Sequence, residues 1–151
     1  MARPFGDACG PLVIVLDTNV LSAMMRATEE PAVERWFDAQ PTESVWTTTV
    51  TVFEIRFGLA LLAAGRRRER LDRAFLRAID NVLDGRVLPF DRSAAEAAAR
   101  IAANRRHTGR PIEIRDVQIA GIAAARKAML ATRNTCHFEN LGIALADPWH
   151  T

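Results

Sequence analysis

The chain has 151 residues, of which 49% are apolar and 25% are charged, and this composition is typical of a soluble globular protein with a single domain over residues 1–151. No stretch approaches about 18 consecutive apolar residues, so no membrane-spanning helix is expected, and the N-terminal segment lacks the long apolar core of a signal peptide. The net charge of +2 is too small to indicate a protein that binds polyanions through its overall charge.

The predicted elements alternate between short strands and helices, after a loose terminus over residues 1–10. In chain order they are a strand over 12–16, helices over 20–26 and 31–40, a strand over 45–49, helices over 51–65 and 67–83, a strand over 85–90, helices over 94–107 and 114–127, and strands over 128–134 and 141–149. This alternation predicts an α/β fold, a three-layer α/β/α sandwich with a central parallel sheet of four to five strands.

Local signals predict where several helices begin and end and which faces are buried. Thr18 or Asn19 can cap the first helix, Ser93 or Asp91 can cap the fifth, and Gly65 can end the third. The third helix has apolar side chains at three- and four-residue steps that we expect to face inward, namely Val50, Phe53, Phe57, Leu61 and Ala64. The fourth helix is expected to direct Leu71, Phe75, Ile79 and Val82 inward. The aromatic residues Trp36, Trp46 and Phe53 are interpreted as core residues rather than as a stacking platform for bases.

Three acids occur at positions where the pattern is otherwise apolar. Asp17 directly follows the buried strand "LVIVL", Glu54 shares or borders the apolar stripe of the third helix, and Asp116 has Ile119, Ala120 and Ala123 at helical spacing behind it. In a parallel sheet, sites form beyond the carboxyl ends of the strands, which is where Asp17 lies.

Each acid also has a purely structural interpretation. Asp17 could cap the helix that follows it, and Asp116 could stabilise the first turn of its own helix, each by about 0.3–1 kcal/mol. Glu54 could pair with Arg56 or another arginine. Considered together, the three acids favour a functional site.

Repulsion among the three carboxylates would require a counter-charge. At about 4 Å and an effective dielectric of about 20, two like charges cost about 4 kcal/mol, so three pairs would cost roughly 12 kcal/mol, which is comparable with the stability of a whole domain. The carboxylates would therefore protonate or hold a cation. Hard oxygen donors suit Mg²⁺ or Mn²⁺, ions that commonly meet substrate phosphates.

Four segments resemble, in order and spacing, the PIN domain of VapC-type toxins, and most closely the branch of FitB-like plasmid-stability proteins. These segments are "VIVLDTNVLS", "TVFEIRFGLALL", "RDVQIAGIAAA" and "LATRNTCHFENLGI", and the resemblance extends from about residue 12 to Trp149. It implies a ribonuclease dependent on Mg²⁺ or Mn²⁺ that is the toxin of a toxin–antitoxin pair. It also implies a homodimer held by a small antitoxin, with operator DNA bound only through the antitoxin.

The resemblance also assigns site residues. Asp17, Glu54 and Asp116 match the family's metal-binding acids, and Asn134 stands where many PIN domains have a fourth catalytic acid. Thr18 and Asn134 are expected to hold ligands or waters by hydrogen bonds. His137 stands where relatives usually have an acid, and it could take part in proton transfer or be an ordinary surface histidine.

Several alternatives remain open from the sequence. The substrate could be a structured tRNA, a messenger RNA or a flap-shaped DNA, and the arginine run over 66–70 could bind an RNA backbone or be a solvated helix face. The apolar surplus of the first helices could form the dimer face or an antitoxin groove. The protein could instead act mainly as the larger half of a DNA-binding repressor complex. Cys9 and Cys136 form neither a disulfide framework nor a metal-ligand spacing, so a reduced, cytoplasmic protein is expected.

Overall fold

The computed structural model of the chain describes residues 12–26 and 29–150, and the loose terminus predicted for 1–10 lies outside them. The strands are β1 (Ile14–Leu16), β2 (Val45–Thr48), β3 (Val87–Leu88), β4 (Met129–Ala131) and β5 (Leu145–Ala146). The helices are α1 (Thr18–Met24), α2 (Pro31–Asp38), α3 (Thr49–Leu61), α4 (Arg66–Leu76), α5 (Arg92–His107) and α6 (Ile114–Ala125). A π-helical segment, Arg77–Val82, continues α4, and short 3₁₀ turns cover Thr42–Ser44 and Thr135–His137.

The five strands form one sheet in the order β3-β2-β1-β4-β5, and every neighbouring pair is parallel. The predicted α/β class with a five-stranded parallel sheet is therefore confirmed. Leu16 lies beside Ala131 across β1 and β4, so the residues that follow these two central strands emerge next to each other. In parallel sheets this carboxyl edge is where sites form.

Helices cover both faces of the sheet, because successive side chains of a strand point to opposite faces. Ile14 and Leu16 of β1 pack in a core with buried residues of α1, α2 and α4, whereas Val15 packs in a second core with residues of α5 and α6. The molecule is thus the predicted three-layer sandwich. Within the described ranges, no helix is both long and apolar enough to cross a membrane.

The predicted inward face of α3 is wrong. Phe53, Phe57 and Leu61 are 56%, 47% and 72% exposed, and the helix instead buries Ile55 and Leu59 against the first core. Of the predicted stripe, Val50 is buried whereas Ala64 is exposed. The apolar residues do recur at helical spacing, but α3 has a second apolar face, formed by Ile55 and Leu59. That second face is the one that packs against the sheet. Phe53 is therefore not the core residue we expected, in contrast to the buried Trp36.

Of the three residues that the sequence allowed as the cap of α1, Asp17 is the cap, rather than Thr18 or Asn19, because its carboxylate accepts the Thr18 N–H. Two further details of the helices differ from the sequence prediction. Gly65 precedes α4 instead of ending α3, which stops at Leu61. Val82, expected to face inward, is 37% exposed. The cap of α5 is Asp91, one of the two residues predicted for it.

Candidate metal centre

Asp17 lies at the carboxyl end of β1 with its carboxylate almost enclosed, at 4% exposure. Oδ1 accepts the Thr18 N–H at 2.8 Å, and Oδ2 accepts the hydroxyl of Thr132 at 2.7 Å. Burial raises the pKa of Asp17, the hydrogen bonds from Thr132 and Thr18 oppose that rise, and the charge of Asp116 adds to it. Asp17 therefore caps a helix and also faces another carboxylate.

Glu54 lies in the middle of α3, and Thr18 connects it to Asp17. The Thr18 hydroxyl donates to Glu54 Oε1 at 3.0 Å, while the Thr18 N–H donates to Asp17. Burial raises the pKa of Glu54, and the charges of Asp17 and Asp116 raise it further, against the Thr18 hydrogen bond and the charge of Arg115. The Arg115 guanidinium is 3.8 Å from Glu54 Oε2 and both side chains remain partly exposed, so this pair is a weak one.

A chain of threonine hydroxyls supports Thr18 from behind. Thr18 Oγ1 lies 3.1 Å from Thr51 Oγ1, and the Thr48 hydroxyl, which lies 3.4 Å from Thr51 Oγ1, also accepts the Thr51 N–H. Thr48 and Thr51 are fully buried. The expectation that Thr18 holds a site carboxylate by a hydrogen bond is thus met, with two further threonines behind it.

Asp116 lies in the first turn of α6 and faces His137. The carboxylate of Glu113 accepts the backbone N–H groups of Arg115 and Asp116, which fixes the start of α6. Asp116 Oδ2 is 3.1 Å from His137 Nδ1. Burial raises the pKa of Asp116; the His137 contact opposes that rise and the charge of Glu113 adds to it.

The turn that contains His137 borders an open cavity of about 330 Å³, which Asp116, Cys136 and Arg110 also line. Arg105 of α5, at 7% exposure, donates to the backbone carbonyls of His137 and Glu139 at 3.0 and 2.9 Å. A buried guanidinium therefore fixes the backbone of this turn relative to α5.

Asn134 contacts neighbouring site residues through its backbone. Its N–H donates to Thr132 Oγ1 at 3.1 Å and its carbonyl accepts the His137 N–H at 3.0 Å, while the residue itself is exposed. The predicted role of the Asn134 amide as a substitute for an acid stays a prediction. The backbone contacts place Asn134 in the same hydrogen-bonded network as Asp17.

The chemistry of these donors fits a divalent cation. The charge of Asp116 raises the pKa of Asp17, and the charges of Asp17 and Asp116 raise the pKa of Glu54. Hard oxygen donors of this kind suit Mg²⁺ or Mn²⁺. As placed, no three His, Cys, Asp or Glu side chains in the described part of the chain are close enough to share one ion. Joint coordination would therefore require rotation of Glu54 or Asp116, whose side chains are 21% and 22% exposed.

The sequence prediction missed Thr132 and Thr51, although both contact site residues. Thr132 is the first residue after β4, the strand beside β1, so its hydroxyl emerges at the same edge as Asp17. The sequence did contain one signal for Thr132, namely a residue with a hydroxyl group directly after an apolar strand. Threonine is so common in strands that this signal carries little weight without the strand order.

Comparisons with known proteins agree with this fold. A family model described as the PIN domain matches residues 14–143. The VapC ribonuclease Y4jK of Sinorhizobium fredii is 41% identical over 137 residues, which cover 91% of this chain and 98% of that protein. The toxin FitB of Neisseria gonorrhoeae is 35% identical over 138 residues, which cover 91% of this chain and 99% of that protein.

Among solved structures, that of FitAB bound to an IR36 DNA fragment matches with a TM-score of 0.83 and 34% identity. The match covers 92% of this chain and 97% of that one. The chain therefore belongs to the PIN domain family and is of the VapC toxin type.

Proposed function

We propose that this protein is an Mg²⁺- or Mn²⁺-dependent endoribonuclease that acts in the cytoplasm as the toxin of a toxin–antitoxin pair. The observation that carries the proposal is the grouping of three partly or fully buried carboxylates around the carboxyl edge of a PIN-type sheet, near enough for the charge of Asp116 to raise the pKa of both Asp17 and Glu54. Their mutual charge makes a cation the natural occupant of this region. The similarity to a protein named VapC ribonuclease supports RNA as the substrate.

In this proposal Asp17, Glu54 and Asp116 hold the ion, and Asn134 contributes at the edge of the site. A bound divalent ion would supply a more acidic water and stabilise charge on a phosphodiester. Thr18 and Thr132 orient the carboxylates of Glu54 and Asp17 through their hydroxyl groups. The exposed arginines at the start of α4, within the run over 66–70, are available to contact an RNA backbone.

The proposed partners are a small cognate antitoxin and a second copy of the chain. A solved structure that matches this chain is described as a member of the VapBC family of toxin–antitoxin systems, which supports an antitoxin partner. The exposed stripe of Phe53, Phe57 and Leu61 on α3 supports a protein interface, and the rings of Phe53 and Phe57 stack 5.9 Å apart. We assign this stripe to the homodimer, so Leu61→Asp is expected to yield monomers in light scattering. A dimer that persists in this variant would place the interface elsewhere.

Cleavage of RNA by purified protein tests the main proposal. The wild type is expected to cleave with Mg²⁺ or Mn²⁺ and to stop with EDTA, while Asp17→Asn and Asp116→Asn, prepared in parallel, lose at least about a hundredfold in rate because each removes a charged ligand. Equal activity in all three preparations would indicate a contaminating nuclease and remove the support for this site.

A second candidate is that the protein acts mainly as the larger half of a DNA-binding autoregulatory complex. The specific observation in its favour is the similarity to FitAB, whose solved structure is bound to a DNA fragment. With a net charge of only +2, the chain is expected to bind operator DNA through its antitoxin. A mobility shift that needs the antitoxin, in a protein without metal-dependent RNA cleavage, would favour this candidate.

A further inference from the structure

Asp116 and His137 present a carboxylate oxygen and an imidazole nitrogen to each other at 3.1 Å. We propose that His137 is itself a ligand of the divalent ion, so that the site has a mixed nitrogen and oxygen donor set centred on Asp116 and His137. This inference rests on the proposed metal-dependent function, but its test does not depend on RNA cleavage.

The spacing suits two neighbouring ligands of one ion. Two donors that lie at right angles about an ion, each about 2.1 Å from it, are about 3 Å apart. The observed separation of Asp116 Oδ2 and His137 Nδ1 is 3.1 Å, so an ion can replace the shared proton without moving either side chain far. Waters would complete the coordination, as they commonly do for Mg²⁺ and similar ions.

The backbones of both residues are held by groups outside the pair. Arg105, itself buried, fixes the turn of His137 through two backbone carbonyls. The Glu113 carboxylate fixes the first turn of α6, and with it the backbone of Asp116. Because both backbones are fixed, binding of an ion would have to order only the two side chains, which favours a metal site here.

An ion can reach the pair directly from solvent. The His137 side chain is 51% exposed, and it lines the open cavity of about 330 Å³ together with Asp116. The charges of Asp116 and His137 both act on Asp17, so the Asp17 carboxylate lies near enough to add its field at the pair. The pair therefore combines access, spacing and negative potential.

A nitrogen donor changes which metal is preferred. Mg²⁺ favours oxygen ligands, whereas first-row transition ions accept imidazole readily. We expect this protein to bind Mn²⁺ more tightly than Mg²⁺ and to owe that preference to His137. An acid at the same position would not give this preference.

Electron spin echo spectroscopy of bound Mn²⁺ tests the ligand assignment, because it detects ¹⁴N nuclei bonded to the ion. The full chain, prepared without a histidine tag and loaded with less than one equivalent of Mn²⁺, is expected to show ¹⁴N modulation. His137→Gln and His137→Asp should lose this modulation. His150→Gln is the matched control, since His150 also contacts an acid, Asp147, at 2.9 Å, and it should keep the modulation.

Metal titrations give an independent measure. His137→Gln is expected to weaken Mn²⁺ binding by about tenfold or more and to change Mg²⁺ binding by less than about threefold. His137→Asp should retain Mn²⁺ binding while its preference moves towards Mg²⁺. Unchanged thermal melting of the metal-free variants would show that folding is preserved.

Three results would overturn the inference. They are the absence of ¹⁴N modulation from bound Mn²⁺, its persistence in His137→Gln, and the absence of Mn²⁺ binding. These measurements also separate failure of this inference from failure of the proposed function. If the wild type shows ¹⁴N modulation that His137→Gln loses, but cleaves no RNA, the ligand assignment is supported and the proposed nuclease activity is contradicted. If the protein cleaves RNA but shows no ¹⁴N modulation, the nuclease activity is supported and the ligand assignment is contradicted.

Discussion

Thr132 donates its hydroxyl proton to Asp17 Oδ2 at 2.7 Å, and both side chains are buried. The same hydroxyl oxygen accepts the N–H of Asn134. One side chain thus orients a site carboxylate and fixes the backbone of the loop after β4. Because the hydrogen bond between Thr132 and Asp17 is buried, losing the hydroxyl leaves Asp17 Oδ2 without this partner.

Thr132→Val is expected to destabilise the protein by about 1–3 kcal/mol, because the valine keeps the shape but leaves Asp17 Oδ2 and the Asn134 N–H unpaired. Urea denaturation in EDTA measures the change. Thr132→Ser, which keeps the hydroxyl, should lose much less stability. Equal losses in the two variants would show that packing of the methyl group, rather than the hydrogen bonds, dominates.

Asp17→Asn should leave the stability of the metal-free protein unchanged or raised. Burial raises the pKa of Asp17, so its charged form is disfavoured there, and an amide removes that cost while its oxygen can still accept the Thr18 N–H. Differential scanning fluorimetry should also show a smaller stabilisation by Mg²⁺ or Mn²⁺.

Asp17→Ala serves as the control for the cap. Alanine cannot accept the Thr18 N–H, so this variant should lose about 0.5–2 kcal/mol even without metal. If Asp17→Asn loses as much as Asp17→Ala, the charged cap stabilises the fold and mutual repulsion is unimportant.

The pH dependence of stability follows from the same carboxylates. Burial raises the pKa of Asp17, Glu54 and Asp116 above their ordinary values of 3.8, 4.5 and 3.8. Between the ordinary and the raised values the folded state binds more protons than the unfolded state. Their contribution to the free energy of unfolding is therefore complete below the ordinary values and is lost as the pH rises through the raised ones.

Urea denaturation in EDTA can isolate this contribution by comparing the wild type with the triple variant Asp17→Asn, Glu54→Gln, Asp116→Asn. Relative to that variant, the wild type should lose stability as the pH rises above the ordinary pKa values of these acids. Addition of Mn²⁺ at pH 7 should restore it. A wild type that gains stability over this range relative to the variant would contradict the raised pKa values.

Arg115 is expected to compete with the cation for Glu54. Its guanidinium lies 3.8 Å from Glu54 Oε2, and partly exposed pairs are worth about 0.2–1 kcal/mol, so Arg115→Gln should tighten Mn²⁺ binding by roughly two- to fivefold. Calorimetric titration measures the change. Arg126→Gln, which removes the same charge from a pair with Asp91, should have little effect. Weaker binding in Arg115→Gln would show that the guanidinium assists the site.

Gly121 of α6 packs against α5 with no room for a side chain. A Cβ at this position would lie 2.5 Å from the backbone oxygen of Ala94, so Gly121→Ala should cost about 1–3 kcal/mol through overpacking. Gly58 in α3 has open space around it, and Gly58→Ala should stabilise the helix by about 0.5–1 kcal/mol. Thermal denaturation of both variants measures the contrast, and a destabilised Gly58→Ala would mean that α3 is packed differently.

The sequence predicted the layers of the fold well because strand and helix periodicities are local properties. The alternation of Ile14, Val15 and Leu16 between the two cores is what a strand covered on both faces requires. It predicted the buried face of α3 poorly. Periodicity identifies an apolar stripe but not the surface that covers it, and the stripe with Phe53 and Phe57 faces outward.

The acids of the site were predictable because each interrupts an apolar pattern. Their supporting groups were not, since Thr132 reaches Asp17 across 115 positions of sequence and only the order of β1 and β4 brings them together. The contact between His137 and Asp116 has the same origin, because the turn after β4 and the start of α6 meet only in the folded chain.

The two uses of Asp17 bear on how activity should be recognised among similar proteins. Because α1 needs an oxygen acceptor at its first turn, an inactive chain would still keep an acid or an amide at this position. Glu54 lies in the middle of α3, where it caps nothing, so its loss would leave the fold intact. A survey that sorts working nucleases from silent copies should therefore rely on the residue equivalent to Glu54 before the residue equivalent to Asp17.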